Sequence, residues 1–193
     1  MTILTIIAII VVLVALALAG LFWAITRERP RSLRTLAEDG KSGRALIVCH
    51  PGLSAYPERI AKGFALGLQR NGWAVDQITP SRKAGTGLER YDLLVLVAPI
   101  YMDRAARPLT RFLARLGALK GNKLALLLTG AGTTDPAMRR LSNAVDTAGG
   151  EIVFKQAYTV LRPNEPDEPI EGSNTDIGVE MATRAGAALQ LER

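Results

Sequence analysis

The chain has 193 residues, 48% of them hydrophobic, and carries a formal net charge of +6. Its single cysteine excludes an intramolecular disulfide and any zinc or iron–sulfur site that needs several cysteines. The basic residues are scattered and are not interleaved with aromatic residues, which argues against nucleic-acid binding.

The N-terminal segment is a candidate membrane anchor. No charged residue occurs from Ile3 to Thr26, and nearly every side chain there is aliphatic. A helix needs about 20 apolar residues to cross the hydrocarbon core of a bilayer. The run ends in Phe22 and Trp23, and aromatic side chains favour the lipid–water boundary. We therefore predict one transmembrane helix within residues 1–26.

A cleaved signal peptide is the alternative interpretation of this N-terminus. Residues 17–19, Ala-Leu-Ala, form a passable cleavage site. Residues 1–3 carry no positively charged side chain, however, whereas the start of a signal peptide is normally basic. We favour the uncleaved anchor.

A basic segment follows the apolar run and contains Arg27, Arg29, Arg31 and Arg34, opposed only by Glu28. By the positive-inside rule it lies on the cytoplasmic side, which predicts a cytoplasmic domain held at the inner, or cytoplasmic, membrane. Its charge predicts attraction to anionic lipid headgroups. The expected organisation is an anchor (1–26), a basic juxtamembrane linker (27–43) and one domain (44–193).

In chain order, the predicted elements of the domain alternate between strands and helices. Residues 45–49 are a continuous apolar run, as in strands that are buried on both faces. Residues 57–71 repeat apolar side chains at helical spacing. A weaker strand candidate at 73–78 and an irregular link at 80–90 come next.

The second half continues the alternation. Apolar runs at 93–98 and 124–128 predict two more buried strands, and each is followed by an amphipathic helix, at 108–119 and from Asp135 onward. A fifth strand is predicted at 152–160. An irregular loop, 162–175, and a helix, 176–191, then end the chain.

This alternation predicts an α/β domain with a doubly wound, five-stranded parallel sheet that has helices on both faces. Ligands of such sheets bind beyond the carboxyl ends of the strands. Three loops leave from there, at 50–57, 99–107 and 129–135. The first enters a helix N-terminus, which favours a phosphate group, and Gly52 and Ser54 suit that role. Ordinary turns of the same composition remain the alternative.

The most specific motif is a strand, loop and helix that reads Tyr91-Asp92-Leu-Leu-Val-Leu-Val-Ala-Pro99-Ile-Tyr101-Met102 and then Pro108-Leu-Thr-Arg-Phe112-Leu. With this motif, residues 44–191 resemble the flavodoxin-like family of FMN proteins. That family includes a membrane-associated protoporphyrinogen dehydrogenase branch and small NAD(P)H–quinone reductases. The resemblance implies a strand order of 2-1-3-4-5 and FMN as the cofactor.

The resemblance also implies which residues contact the cofactor. Those expected against the isoalloxazine ring are Pro99, Ile100, Tyr101 and Met102, which offer an aromatic face and a thioether. The remaining implied contacts, around the phosphate and the third loop, are His50, Gly52, Ser54, Ala55, Tyr56, Thr129, Gly130 and Gly132.

The phosphate loop departs from the family pattern. That pattern resembles Thr-Gly-x-Thr, whereas residues 54–57 read Ser-Ala-Tyr-Pro. Ala55 obstructs the close backbone approach that glycine permits, and Pro57 has neither a hydroxyl nor an N–H group. Losing one or two charge-assisted hydrogen bonds weakens FMN binding by about one to four orders of magnitude. Arg59, in the first helical turn, is the candidate for a compensating cation.

No catalytic side chain and no metal site is predicted. His50, the only histidine, is a candidate hydrogen-bond donor to a phosphate or a candidate proton carrier for a flavin or quinone. A purely structural role is the alternative. Metal-ligating residues are not grouped, and the Gly-x-Ser-x-Gly motif of hydrolases is absent.

Two functions follow from the sequence. The first is a membrane-anchored FMN oxidoreductase or electron carrier, working between a nicotinamide nucleotide or redox protein and a membrane acceptor such as a quinone. The cofactor would carry the chemistry, so the lack of a catalytic side chain leaves open whether it is an NAD(P)H oxidoreductase. The second is a domain that has lost FMN and serves as a membrane-held interaction module. The retained segment 99–102 favours the first.

Overall fold

The computed structural model describes residues 2–82, 84 and 87–191. Its helices are α1 (Ile3–Thr26), α2 (Tyr56–Arg70), α3 (Arg107–Leu116), α4 (Asp135–Thr147) and α5 (Asn174–Ala188). Its strands are β1 (Arg34–Ala37), β2 (Gly43–Cys49), β3 (Trp73–Ile78), β4 (Leu93–Tyr101), β5 (Arg104–Ala105), β6 (Lys123–Gly130) and β7 (Glu151–Thr159).

The centre of the sheet is parallel and runs in the order β3-β2-β4-β6-β7. Numbered among themselves, these five strands lie in the order 2-1-3-4-5 that was expected. Across the described residues, however, the sheet has seven strands rather than five. β1 pairs antiparallel with β3, and β5 pairs antiparallel with β4.

β1 was missed because it lies inside the segment predicted to be a polar linker. Four residues are too few to show a strand pattern, and pairing with β3 is what orders them. The hydroxyl of Thr35 donates to the Asp76 carboxylate of β3 at 2.8 Å. β1 covers the outer edge of β3 and attaches the linker to the domain.

Helices cover both faces of the sheet and divide the core into two layers. Alternate residues of β2 enter different layers: Leu46 and Val48 pack on one side, and Ala45 and Ile47 on the other. The first layer includes residues of α3 and α4, and the second includes residues of α2 and α5. Continuous apolar strands are required because each face of the sheet is buried.

α2 and α5 pack with their backbones in close contact, and glycines make this possible. A Cβ added at Gly67 would lie 2.1 Å from the carbonyl oxygen of Thr183. One added at Gly186 would lie 2.3 Å from the carbonyl oxygen of Phe64. Because the obstructing atoms are backbone atoms, a larger side chain cannot be accommodated by a rotamer change alone.

α1 has no buried residue and is, by length and composition, able to cross a membrane. Its last turns touch the domain. The guanidinium of Arg107, the first residue of α3, stacks 4.9 Å from the centre of the Phe22 ring. Arg27 covers Trp23 at 4.6 Å. These contacts place the end of α1 beside the amino end of α3.

We expect Gly67→Ala to lower the free energy of unfolding by about 2–3 kcal/mol, because the added methyl group forces α2 and α5 apart. Gly132→Ala is the matched control, since the nearest atom to its new Cβ is 3.9 Å away. Urea unfolding of the full chain in detergent, followed by circular dichroism, measures both. Equal stability of the two variants would contradict the packing described here.

Candidate functional site

The second of the three predicted loops is a β-hairpin rather than an open loop. β4 continues to Tyr101, so that Ile100 pairs with Ala105 and Tyr101 with Arg104. Met102 and Asp103 form the turn, with φ values of +48° and +55°. Such values suit a tight hairpin turn but are unfavourable for a methionine side chain. Met102 is 74% exposed at the tip.

The first loop is packed against this hairpin. Gly52 has φ of +70°, and a Cβ there would lie 2.7 Å from Cγ of Pro99 and 2.9 Å from Oη of Tyr101. The backbone N–H of Leu53 donates to Oη of Tyr101 at 3.0 Å. Glycine is therefore required both for the backbone conformation and for the close approach of Pro99 and Tyr101.

The N-terminus of α2 presents donors that suit a phosphate. Within the described part of the chain, the N–H groups of Ser54 and Ala55 make no hydrogen bond. The Ser54 side chain is exposed, and its hydroxyl accepts only a long hydrogen bond, 3.4 Å, from the N–H of Tyr56. Two backbone donors, one hydroxyl and the positive end of the helix dipole thus meet at one place.

Two predicted phosphate contacts are turned elsewhere. The phenol of Tyr56 is buried and donates to the Thr159 carbonyl at 3.4 Å, where Gly178 of α5 leaves room for it. Arg59 forms an ion pair with Asp176 at the start of α5, so it is not the compensating cation that the sequence suggested. Hydrogen bonds from the Ser173 hydroxyl and, to a lesser extent, from the Arg59 guanidinium lower the pKa of Asp176.

The third loop closes the other side of the hairpin. Thr129 is buried, and a Cβ added at Gly130 would lie 3.3 Å from the side chain of Ile100. The carbonyl of Gly130 accepts a hydrogen bond from Val160 at 2.9 Å. Gly132, by contrast, has open space around it, with Arg162 the nearest neighbour. Of the predicted residues in this loop, Gly132 is the accessible one.

His50 lies beneath the first loop, with 1% of its surface exposed. Its backbone N–H donates to Val97, but neither ring nitrogen has a partner among the described residues. Burial lowers its pKa to about 4, and the positive charge of Arg29 contributes to the shift. The imidazole is therefore neutral near pH 7, although buried polar nitrogens normally have partners.

Arg29 is the site residue that the sequence did not predict. The linker crosses the carboxyl edge of the sheet, where the Arg29 carbonyl accepts from the Thr79 hydroxyl, and the Arg31 N–H donates to that hydroxyl, each at 2.8 Å. The charge of Arg29 acts on both His50 and Tyr101. Its buried Nε has no partner in the described structure. No local pattern links a juxtamembrane arginine to a strand end.

These residues fit the phosphate end of a flavin nucleotide. The unpartnered groups are the ring nitrogens of His50, Nε of Arg29, and the N–H groups of Ser54 and Ala55. They lie on or beside one loop and are mostly donors, as an anion requires. The hairpin tip, with Tyr101 and the exposed Met102, is the nearest surface for an aromatic ring.

The sequence matches no family model and no curated protein. Solved structures nevertheless share its fold. An NAD(P)H:quinone oxidoreductase from Methanothermobacter marburgensis aligns with a TM-score of 0.58 at 15% identity, over 81% of this chain and 98% of that one. Megasphaera elsdenii flavodoxin gives 0.58 at 15% identity, over 75% and 99%. An azoreductase from Bacillus anthracis gives 0.55 at 11% identity, over 76% and 100%.

The protein therefore has the flavodoxin-like fold, and the resemblance seen in the sequence is confirmed at the level of the fold. The structures it is similar to include flavodoxins and a quinone oxidoreductase. At these identities the likeness concerns architecture, and what this chain binds has to be argued from its own residues.

We expect the stability of the protein to fall in acid partly through His50. Its pKa is near 6.5 when unfolded and about 4 when folded, so between these values the unfolded state binds the proton preferentially and stability decreases as the pH falls. From about pH 7.5 to about pH 5 this histidine accounts for about 2 kcal/mol.

His50→Gln removes that titration, so the variant should lose about 2 kcal/mol less than the parent protein over the same range. Urea unfolding at both pH values measures the difference. Carboxylates titrate in both proteins, so their effects on stability cancel when the two losses are compared. An identical loss in the two proteins would contradict the burial of a neutral His50.

Proposed function

We propose that the protein is a membrane-anchored flavodoxin-like electron carrier or oxidoreductase that uses FMN. The observation that supports this best is the group of unpartnered donors at the loop between β2 and α2. Ser54, Ala55, His50 and Arg29 each have a polar group without a hydrogen-bond partner among the described residues. Its location, beyond the carboxyl ends of parallel strands, is where such folds bind ligands.

In this proposal the residues divide into two parts. The N–H groups of Ser54 and Ala55, with the Ser54 hydroxyl and Arg29, hold the phosphate. The hairpin tip at Tyr101 and Met102, together with Gly132 of the third loop, orients the ring. When bound, the cofactor supplies the redox chemistry. The protein supplies binding, orientation and a neutral His50, whose ring N–H has no partner among the described residues and can donate a hydrogen bond beside the loop.

The anchor determines which partners are within reach. α1 ends against Arg107, two residues after the end of β5, which supports a candidate site at the edge of the domain nearest to the membrane. We propose that electrons pass to a lipid-phase acceptor such as a quinone, or to a membrane-bound redox protein. The donor class is a nicotinamide nucleotide or a redox protein. Tethering raises the local concentration of such partners.

The second candidate function is a membrane-held interaction module without FMN. The position of the linker favours it, because Arg29 lies beside His50 and Tyr101 and Tyr101 already occupies the N–H of Leu53. In that case the linker and hairpin would fill the site permanently. The two functions differ in one observable, which is whether the purified protein binds flavin.

We expect the detergent-purified protein to show the visible absorption of bound oxidised flavin, or to acquire it on titration with FMN, and to bleach with NADH, NADPH or dithionite. Ser54→Ala and Arg29→Gln should each weaken FMN binding by about 10-fold or more, since each removes a charge-assisted contact with the phosphate.

Ser42→Ala is the control for that titration, because the Ser42 hydroxyl donates to Asn71 at the opposite end of the sheet. It should leave FMN binding unchanged. A colourless protein that acquires no flavin absorption on titration would overturn the FMN proposal and favour the interaction module.

We further expect the full chain to resist extraction from membranes by alkaline carbonate, and a chain that starts at residue 27 to be extracted. In bacterial cells the domain should be protected from protease in intact spheroplasts and cleaved in inverted vesicles, as the arginine cluster predicts. Cleavage in intact spheroplasts would reverse the proposed orientation.

A further inference from the structure

A cleft of about 660 Å³ opens between the end of α1, the β4–β5 hairpin and helices α3 and α4. α1 contributes Phe22, Ile25 and Thr26 to its wall, and the hairpin contributes Tyr101 and Met102. The cleft therefore combines the part of the anchor nearest the domain with the outer face of the candidate site.

The rest of the cleft lining is strongly basic. Four arginines line it, namely Arg104, Arg107, Arg111 and Arg140, and no carboxylate is among the described lining residues. In the part of the chain that the structure describes, none of the four forms an ion pair. Arg140 donates to the carbonyl of Asp103 at 2.5 Å, and Arg107 stacks on Phe22.

Such an arrangement favours an anion. Guanidinium groups that share one cleft repel one another, and an anion placed among them reverses the sign of that interaction. Arginine binds phosphate oxygens with two parallel N–H groups, so phosphate is the best-matched anion.

The position of the cleft selects the source of that phosphate. Phe22 lies in the last turns of α1, where aromatic side chains favour the lipid–water boundary, so Arg107, which stacks on Phe22, lies at headgroup depth when α1 spans a bilayer. Phe22 and Ile25 offer an apolar wall next to the charges. A ligand with a phosphate and an attached hydrocarbon chain can contact both the arginines and the apolar side chains, whereas a soluble phosphate can contact only the arginines.

We propose that this cleft binds the headgroup of an anionic phospholipid, with the phosphate among Arg104, Arg107 and Arg111 and the start of an acyl chain against Phe22 and Ile25. The inference rests on the membrane-anchoring part of the proposed function and is independent of FMN. A lipid held there fixes the height and tilt of the β4–β5 hairpin relative to the bilayer.

The test uses the full chain in lipid nanodiscs and a tryptophan reporter in the cleft. Phe22→Trp combined with Trp23→Phe moves the exposed indole to the lining position, and Trp73 remains as a buried, constant background. Brominated phosphatidylglycerol diluted in phosphatidylcholine is compared with brominated phosphatidylcholine diluted in phosphatidylglycerol. The brominated lipid quenches indole fluorescence on contact. We expect the brominated anionic lipid to quench about threefold more strongly at equal dilution.

Arg107→Gln with Arg111→Gln should remove at least half of this preference. The matched control is Arg70→Gln with Arg139→Gln, which removes the same charge from positions outside the cleft and should preserve the preference. Equal quenching by the two lipids, or an equal loss in both double variants, would overturn the proposal. So would a reporter that responds to inorganic phosphate at constant ionic strength without preferring the anionic lipid.

The same nanodiscs separate this inference from the proposed function. Their visible absorption reports flavin directly. A colourless protein that retains the lipid preference supports the lipid site and contradicts the FMN proposal. A yellow protein that shows no preference for the anionic lipid supports the FMN proposal and contradicts the lipid site.

Discussion

Burial of the parallel sheet on both faces is the constraint on which the other features depend. The central strands β2, β4 and β6 supply apolar side chains to both layers of the core, and α2 and α5, which cover one face, pack closely on each other at Gly67 and Gly186. The buried apolar side chains of these central strands cannot bind a polar ligand. Donors accumulate instead where the strands end and α2 begins.

The linker adds two arginines to the carboxyl edge of the sheet. Arg29 and Arg31 are held at this edge by the Thr79 hydroxyl, and β1 continues the sheet beyond β3. The linker also carries Glu28, whose carboxylate accepts from the N–H of Arg82 and approaches Arg115 at 3.8 Å. Anchor and site are thus parts of one contact network.

Sequence reasoning succeeded where local pattern decides the outcome. Residues 93–98 identify a buried strand because every side chain is apolar whichever face it takes. Sequence reasoning failed where contacts with residues distant in the chain determine the local structure. The extension of β4 to Tyr101 depends on pairing with β6 and β5, and the direction of the Tyr56 phenol depends on the space above Gly178. The role of Arg29 depends on Thr79, which no periodicity connects to it.

The short crossing between α1 and β1 has a kinetic consequence. With β1 fixed to the sheet, only residues 27–33 separate the anchor from the domain, a span of at most about 25 Å when fully extended. In the proposed membrane-anchored state, the hairpin would therefore be held within a short distance of the lipid surface. In that state its encounters with other membrane components would be a two-dimensional lateral search, while water-soluble molecules would approach from the side that faces away from the bilayer.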